Sequence, residues 1–280
     1  MNNIIYAVVL YNGFYYNSET LTFLTKEMKD NLIIVFDNSD KKEFYSINKH
    51  VLSKEKQVVY ISNEENVGLS KAYNFILDFI FANINPTNKY ICWLDDDTYL
   101  ALEYFREQNE AVQRGFDIFV PKIIGQDGII YSPNNAGYLK NKLINTGYDV
   151  DNFKKFNAIN SCLTVNLKIY SELRYNETLF LDQVDQLFFD QLRKINFTFK
   201  VGEYIVLQNF SQRDKELSSN YINRFKIRVK DIIRYGEESP DNNILICYLK
   251  NCLLGLMFFK KTLNLKYLVI SMLSIWRYKK

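Results

Sequence analysis

The sequence predicts an α/β fold, with a mixed, mainly parallel sheet flanked by helices and a helical C-terminal extension. Short apolar runs alternate with segments of helical periodicity from residue 4 to residue 207, and this alternation is typical of parallel sheets built from crossover units. Several of the apolar runs end in a polar residue. Parallel strands bring such residues to one edge of the sheet, where ligands bind in open α/β proteins.

The individual elements follow from local patterns. Short apolar runs predict strands at Ile4–Leu10, 31–36, 58–61, Tyr90–Leu94, 117–124, 160–165 and 202–207. Apolar residues at helical spacing predict helices over 18–28, 69–82, 100–114 and 180–194. The polar, charged segment between the second and third strands predicts no element. The segment 125–160 is rich in Asn, Gly and Tyr, so we expect loops with short strands there.

The composition restricts the chemistry. The formal net charge is only +3, which gives no overall sign of nucleic-acid binding. A single histidine, His50, argues against Ser-His-Asp, Cys-His and multi-His zinc chemistry. Four cysteines lie mostly in apolar runs without C-x-x-C spacing, as expected of buried thiols in a reducing compartment. The first residues lack the basic start and cleavage site of a signal peptide, so we expect a cytoplasmic protein.

The C-terminal segment differs in charge from the rest of the chain. No Pro- or Gly-rich linker interrupts the sequence, and we expect one continuous domain over residues 1–215 and a helical, basic, amphipathic extension over 216–280. From Asn242 to Lys280 there are seven Lys or Arg and no Asp or Glu. No apolar run there reaches the roughly 18 residues of a spanning helix. We favour a peripheral position at the inner membrane surface; a helical hairpin packed on the first domain, or a dimer contact, is the alternative.

The most informative stretch is an apolar run that ends in three carboxylates. Tyr90–Leu94 fits a strand covered on both faces, and Asp95, Asp96 and Asp97 follow directly. Buried together without partners, three ionised carboxylates would cost several kcal/mol, so we expect them in solvent or around a cation. Mg²⁺ and Mn²⁺ prefer such oxygens, commonly one or two carboxylates together with substrate phosphates. The alternative is an acidic turn that only ends the strand.

Polar residues at the other strand ends complete the outline of a nucleotide pocket. Asp37 could accept a hydrogen bond from a pyrimidine ring N–H, and Tyr11 could cover the same ring. Asp95 could bind ribose hydroxyls, and Asp97 a cation that neutralises a diphosphate. A nucleoside-diphosphate site needs these functions at one edge, and the predicted topology brings them there.

Five motifs in order resemble those of the family 2 glycosyltransferases with a GT-A fold, which are inverting enzymes that use nucleotide sugars. They are Leu10-Tyr11-Asn12, Val35-Phe36-Asp37-Asn38-Ser39, Asn66-Val67-Gly68-Leu69-Ser70-Lys71, Asp95-Asp96-Asp97 and Phe180-Leu181-Asp182-Gln183-Val184-Asp185. The resemblance implies that the nucleotide contacts Tyr11, Asp37, Asn66, Gly68, Lys71, Asp95 and Asp96, and that Asp97 holds a divalent metal, Mg²⁺ or Mn²⁺.

The acceptor-side motif resembles that of rhamnosyl- and other polysaccharide-assembling members, with two departures. Many members have Glu-Asp where this chain has Asp182-Gln183. Asp182 or Asp185 could be the catalytic base, since an i, i+3 pair shares a helix face, and the position of Asp182 nearest the first turn favours it slightly. Many members also have a metal-assisting His where Gln208-Asn209 stands here, so metal binding would depend on Asp97, phosphates and water.

The resemblance implies an inverting, metal-dependent glycosyltransferase. It would move a sugar from a UDP- or dTDP-sugar to a saccharide acceptor, expected to be lipid-linked, in cell-surface or capsular polysaccharide assembly. A nucleotidyltransferase acting on sugar phosphates is the alternative, but it would need a cation in the loop after the first strand, and residues 12–16 carry none. A third hypothesis is a non-enzymatic nucleotide-sugar binding protein at the membrane.

Overall fold

A central sheet of eight strands organises the molecule. The computed structural model describes residues 3–143, 153–210 and 221–276. The strands are β1 (Ile4–Leu10), β2 (Ile33–Asp37), β3 (Val58–Ser62), β4 (Tyr90–Leu94), β5 (Ile118–Gly125), β6 (Ile130–Ser132), β7 (Asn134–Asn135), β8 (Lys142–Leu143), β9 (Phe156–Asn157), β10 (Leu163–Asn166) and β11 (Phe199–Gln208). The helices are α1 (Glu19–Glu27), α2 (Lys42–Leu52), α3 (Leu69–Asn83), α4 (Leu102–Gln113), α5 (Leu167–Tyr170), α6 (Val184–Leu192), α7 (Tyr221–Glu238), α8 (Ile244–Thr262) and α9 (Lys266–Trp276).

The strand order aligns the ends that the sequence marks as polar. The sheet runs β11-β5-β10-β4-β1-β2-β3, with β6 paired to β5. The strands β1 to β4 are mutually parallel, and β10 is antiparallel to both β4 and β5. Leu10 pairs with Asp37 and Val8 with Leu94, so these three strands end at the same edge. The expected mixed, mainly parallel sheet is confirmed.

Both faces of the sheet are covered, which explains the unbroken apolar runs. Every residue of β4 is buried, as expected for a strand covered on both faces. One face packs on α3 through Ala72 and Ile76. The opposite face packs on α1 and α4 through Leu24 and Tyr104.

The helix α2 is the main element that the sequence pattern missed. The segment was expected to contain no element, yet Lys42–Leu52 is helical. Only Asn48 and Leu52 are buried in it, and Lys41 provides no side-chain cap. Phe44, Ile47 and Val51 do recur at helical spacing, but the segment is rich in charged residues and has no capping residue, so its composition favoured a loop. In the described part of the segment 125–160, the expected short strands are β6 to β9, and residues 144–152 of that prediction lie outside the described residues.

The C-terminal helices pack on one another and on the core around the sheet. Phe225 of α7, Phe258 of α8 and Tyr267 of α9 form a small apolar core. Ile232 and Cys247 belong instead to the main core around the sheet. The expected boundary at residue 215 falls in 211–220, outside the described residues, so the domain division stays a prediction. Within the described residues, none of the helices has the length and apolarity needed to span a bilayer.

Candidate active site

The acidic triplet lies at the carboxyl end of the central strand β4, where α1 fixes its backbone. The Ser18 hydroxyl donates to the Asp96 carbonyl at 2.6 Å, and the Thr20 hydroxyl donates to the Asp95 carbonyl at 2.6 Å. Ser18 also caps α1, because its Oγ accepts from the Leu21 N–H at 3.1 Å. The backbone is therefore tied down, while the exposed Asp97 side chain extends toward solvent.

Burial and mutual repulsion disfavour the ionised forms of Asp95 and Asp96 in the triplet. Partial burial and the neighbouring charge of Asp97 raise the pKa of Asp95 to about 6. The pKa of Asp96 is also raised to about 6, by burial and then by Asp97 and Asp95. The Gln208 amide donates to Asp95 Oδ2 at 2.6 Å and opposes part of this shift. Two or three like charges this close favour binding of a cation.

Asp185 belongs to the same acidic region. It lies in the first turn of α6, and its Oδ1 accepts from the Gln186 N–H at 2.7 Å. Burial raises its pKa to about 6, and the charges of Asp182 and Asp95 add to the shift. The buried Tyr73 hydroxyl of α3 is influenced by both Asp95 and Asp185. Asp95 and Asp185, from distant parts of the chain, are therefore close enough in space for the charge of one to act on the other.

Asp182 has a different environment from Asp185. Its carboxylate forms an ion pair with Arg224 of α7, and only 12% of the Asp182 side chain is exposed. The next residue, Gln183, has a left-handed backbone with φ of 63° and accepts a hydrogen bond from the Lys250 ammonium at 3.3 Å. The C-terminal helices thus contribute two cations beside the acceptor-side motif.

Asp37 lies at the same edge of the sheet, but its side chain points into the protein. The strand β2 is two strands from β4, or roughly 10 Å along the edge. The Asp37 carboxylate is completely buried and accepts from Asn48 Nδ2 at 2.8 Å, from the Tyr60 hydroxyl at 2.9 Å and from the Ser39 N–H at 3.1 Å. Asn48 also donates to the Gly13 carbonyl at 2.9 Å. Asp37 therefore fixes the loop that follows β1.

The other residues predicted to contact a nucleotide lie in the loops after β1 and before α3 and at the start of α3. Asn66 Oδ1 accepts from Asn38 Nδ2 at 3.0 Å, which ties the loop before α3 to β2. Tyr11 and Lys71 are exposed. Asp96 faces the loop after β1, since its Oδ2 lies 3.9 Å from where a β-carbon on Gly13 would be.

Gly68 cannot be replaced without disturbance. Its φ is +85°, and an added β-carbon would lie 2.7 Å from the Phe180 ring and 2.8 Å from the Phe180 carbonyl oxygen. The loop before α3 therefore packs directly on the segment that leads to α6.

The donor atoms fit a hard divalent cation that shares its coordination with a ligand. In the parts of the chain that the structure describes, no three His, Cys, Asp or Glu side chains form a ready metal cage. The exposed Asp97 carboxylate offers oxygen, and Gln208 Oε1 is a buried acceptor without a partner among the described residues. One or two protein oxygens completed by phosphates are typical of Mg²⁺.

Several residues of the site gave no local signal in the sequence. Asn48 lies on the missed helix α2, and Tyr60 lies inside β3. Tyr73 is visible only as one apolar position of a periodic helix. Arg224 reaches Asp182 from 42 positions further along the chain. The departure at Gln208 was visible in the motif order, but its contact with Asp95 was not.

Comparison with known proteins identifies the class. The architecture is the GT-A fold, shared with the solved structure of GalNAc-T7 with UDP, GalNAc and Mn²⁺ at a TM-score of 0.59 and 13% identity, covering 84% of this chain and 47% of that one. It is also shared with the mannosyltransferase PcManGT of Pyrobaculum calidifontis in complex with GDP-Man and Mn²⁺, at a TM-score of 0.55 and 9% identity, covering 98% and 74%.

The sequence then gives the family. Residues 7–174 match the model of glycosyl transferase family 2, and the chain belongs to this family. An uncharacterized glycosyltransferase of Methanocaldococcus jannaschii, MJ1057, is 26% identical over 199 residues, which cover 69% of this chain. The match spans 63% of that relative, less than two thirds of its length. No comparison supports the nucleotidyltransferase alternative or confirms the rhamnosyl subtype.

Proposed function

We propose that this protein transfers a sugar from a UDP- or dTDP-sugar to a hydroxyl group of a saccharide acceptor, with inversion at the anomeric carbon. The observation that carries the proposal is that Asp185, in the first turn of α6, lies close enough to the acidic triplet for the charge of Asp95 to contribute to its raised pKa. Family membership supports the reaction class, and the relatives crystallised with UDP or GDP-Man support a nucleoside-diphosphate donor.

The nucleotide lies along the edge from β2 to β4. Tyr11 covers the base, and Asp37 determines the shape of the base pocket through Asn48 and Tyr60. Asn66, Gly68 and Lys71 line the side of the nucleotide that faces α3. Asp95 and Asp96 bind the ribose.

Asp97 would hold a divalent metal, Mg²⁺ or Mn²⁺, and Gln208 Oε1 is a second available oxygen. A metal bound there would supply Lewis-acid stabilisation of the negative charge on the diphosphate. The exposed ammonium of Lys71 contributes to the same stabilisation.

Asp185 is the general base. Asp182 is already paired with Arg224. Among the described residues Asp185 forms no such ion pair, although the charge of Lys250 acts on it, and its pKa is about 6. A base with a pKa near the working pH is effective at accepting the proton of an attacking hydroxyl. Asp185 takes that proton while the acceptor oxygen attacks the anomeric carbon from the face opposite the diphosphate. A single displacement of this kind inverts the configuration.

The acceptor is a lipid-linked saccharide in cell-surface or capsular polysaccharide assembly. Such an acceptor lies at a membrane, and the helices α8 and α9 hold the protein at the anionic inner membrane surface. Exposed apolar side chains cover the outer face of both helices, namely Leu245, Leu249, Leu253, Leu256, Met257, Val269 and Met272. Lys260, Lys261 and Lys266 lie at the junction of the two helices. Apolar area together with lysines is the combination that binds anionic lipid surfaces.

Vesicle flotation tests the membrane contact. The full chain should float with vesicles of phosphatidylcholine and phosphatidylglycerol and much less with phosphatidylcholine alone. Leu249→Glu combined with Leu253→Glu should abolish flotation. Leu102→Glu is the matched control, since Leu102 is similarly exposed, at 58%, on the distant helix α4. Equal flotation of all three proteins would contradict the membrane contact.

A donor screen tests the reaction itself. A thermal-shift panel of UDP-, dTDP- and GDP-sugars with Mn²⁺ identifies donors, because ligands that bind only the folded state raise the unfolding temperature. Release of the nucleoside diphosphate is then measured with and without saccharide acceptors. Asp97→Asn should lose donor stabilisation, and the exposed Asp78→Asn on α3 is the control. Stabilisation by a donor without any release would identify a binding protein instead of an enzyme.

A further inference from the structure

A buried carboxylate of the C-terminal extension holds the backbone that leads to the proposed base. Asp231 of α7 has no exposed surface. Its Oδ1 accepts from the Phe180 N–H at 3.1 Å, and its Oδ2 accepts from the Leu181 and Asp182 N–H groups, both at 2.8 Å. These three residues precede α6, which begins only at Val184, so neither a strand nor a helix provides partners for their N–H groups. Asp231 fills that role.

The same segment contacts the nucleotide side of the cleft on its other face. The Phe180 carbonyl accepts from the Leu69 N–H at 2.6 Å, and its ring and carbonyl oxygen leave no room for a side chain at Gly68. The backbone of Phe180–Asp182 therefore lies between the loop before α3 and the helix α7. The position of this backbone therefore determines where Asp185, three residues further along the chain, lies relative to the proposed nucleotide site.

We propose that Asp231 is a positioning residue for the general base: it fixes the backbone of Phe180–Asp182 and thereby the location of Asp185 against the donor. This inference rests on the proposed function for its catalytic consequence. The helix α7 then serves the acceptor side of the active site directly, although it lies beyond the expected domain boundary.

A carboxylate is needed at this position because three parallel donors converge on it. Burial raises the pKa of the Asp231 carboxyl, and the three backbone N–H groups oppose part of that shift because they favour the ionised form. An amide of the same size offers one acceptor atom and a competing N–H₂ donor. Asp231→Asn therefore leaves at least one of the three backbone groups unpaired and loosens the segment.

The experiment compares two buried carboxylates that both accept backbone N–H groups. Asp231→Asn is the test variant. Asp117→Asn is the matched control, because Asp117 is 6% exposed and accepts from the Thr198 N–H at 2.8 Å, but it precedes β5 at the opposite edge of the sheet. Amide hydrogen exchange of the peptide covering 180–182 is measured on both variants and on the wild type. The steady-state kcat and donor KM are measured with the donor that the screen identifies.

In the wild type the three amides should be protected although they lie outside any helix. In Asp231→Asn their exchange should accelerate about tenfold or more, because a buried N–H group loses its acceptor. The kcat should fall about 10- to 100-fold, the scale of a misplacement of about 1 Å, while the donor KM changes less than about twofold. Asp117→Asn should alter neither the exchange of these amides nor kcat.

Two results would overturn the proposal: rapid exchange of the three amides in the wild type, or an unchanged kcat in Asp231→Asn with released amides. If Asp231→Asn does not fold, Asp231→Ser, which leaves a single small acceptor, is subject to the same comparison and the same criteria. Hydrogen exchange needs no substrate. A wild type that protects these amides but turns over no donor would therefore refute the proposed function and leave the backbone contact standing.

Discussion

Two groups of carboxylates on the same sheet edge differ in how far the protein itself satisfies them. Asp37 is fully buried and accepts three hydrogen bonds, from Ser39, Asn48 and Tyr60. Asp95 and Asp185 are partly exposed, have fewer donors, and have pKa values raised to about 6. The first environment is complete without a ligand, and the second is not.

This difference distinguishes a carboxylate that stabilises the structure from carboxylates that are candidates for catalysis. A fully hydrogen-bonded buried carboxylate rigidifies the structure around it. Carboxylates crowded together with raised pKa values are unfavourable for the folded state, and such clusters mark candidate functional sites in clefts. A cation and a reacting hydroxyl would relieve the second cluster but would add little to the first. The following predictions test this contrast.

The largest effect is expected at the proposed base. Asp185→Asn should lower kcat about 10²- to 10⁴-fold, the usual contribution of general-base catalysis, while donor binding in a thermal-shift assay stays unchanged. The unfolding temperature should remain equal or rise, because at neutral pH the amide removes a charge that the folded state disfavours. Wild-type turnover in this variant would refute the assignment.

Asp182→Asn is the matched control for the base. It has the same chemistry three residues earlier, but its carboxylate is paired with Arg224. We expect a smaller loss of kcat than in Asp185→Asn and a lower unfolding temperature. The opposite order of the two kcat values would make Asp182 the base, which is the assignment that the motif position alone favours.

Removal of metal should have the next largest effect. Excess EDTA should reduce turnover about 100-fold or more, because Lewis-acid stabilisation of a leaving group is worth several kcal/mol. The unfolding temperature without donor should not change, since the described residues form no cage of three or more acidic, His or Cys ligands. Recovery on adding Mn²⁺ is the control. Full activity in EDTA would exclude the metal role of Asp97.

Asp37→Asn should affect stability more than catalysis. The amide would place an N–H₂ group against the donors of Asn48, Tyr60 or Ser39, at a cost of about 1–3 kcal/mol. The unfolding temperature should therefore fall by several degrees, measured by calorimetry, whereas Asp185→Asn should not lower it. A fall in kcat with unchanged stability would instead place Asp37 in direct contact with the reacting groups.

The sequence predicts the scaffold well because burial leaves a local pattern. The run Tyr90–Leu94 is apolar throughout because helices cover both faces of β4, and parallel pairing then determines which polar residues share an edge. The helix α2 was missed because the charged composition of its segment outweighed the helical spacing of Phe44, Ile47 and Val51. The location of the acidic triplet was therefore predicted, whereas the helix that supports Asp37 was not.

The direction of side chains and the role of the C-terminal helices could not be predicted from local patterns. Asp37 points into the protein because Asn48 and Tyr60 converge on it from two other elements. Arg224 and Asp231 act on residues that precede them by more than 40 positions. Contacts over such separations depend on the packing of α7 against the sheet, and neither periodicity nor a motif records it.

The smallest expected effect is a pH dependence that distinguishes the two kinds of carboxylate. The ionised form of Asp185 accepts the proton, so kcat/KM, which reports the free enzyme, should rise with pH and reach half its plateau near pH 6. One pH unit below that midpoint it should be about a tenth of the plateau value. We call this rise the acidic limb of the pH profile. Without burial and the charges of Asp182 and Asp95, its midpoint would lie near 3.8, the ordinary pKa of an aspartate.

Asp182→Asn sharpens this prediction. The charge of Asp182 raises the pKa of Asp185, and its removal also leaves the Arg224 cation beside the cleft. Both changes favour the ionised base, so the acidic limb should move to lower pH in this variant. Asp117→Asn, at the opposite edge of the sheet, should leave the limb in place. A limb that stays near pH 6 in Asp182→Asn would mean that a group other than Asp185 is titrating, and the contrast between the two carboxylate groups would then need another explanation.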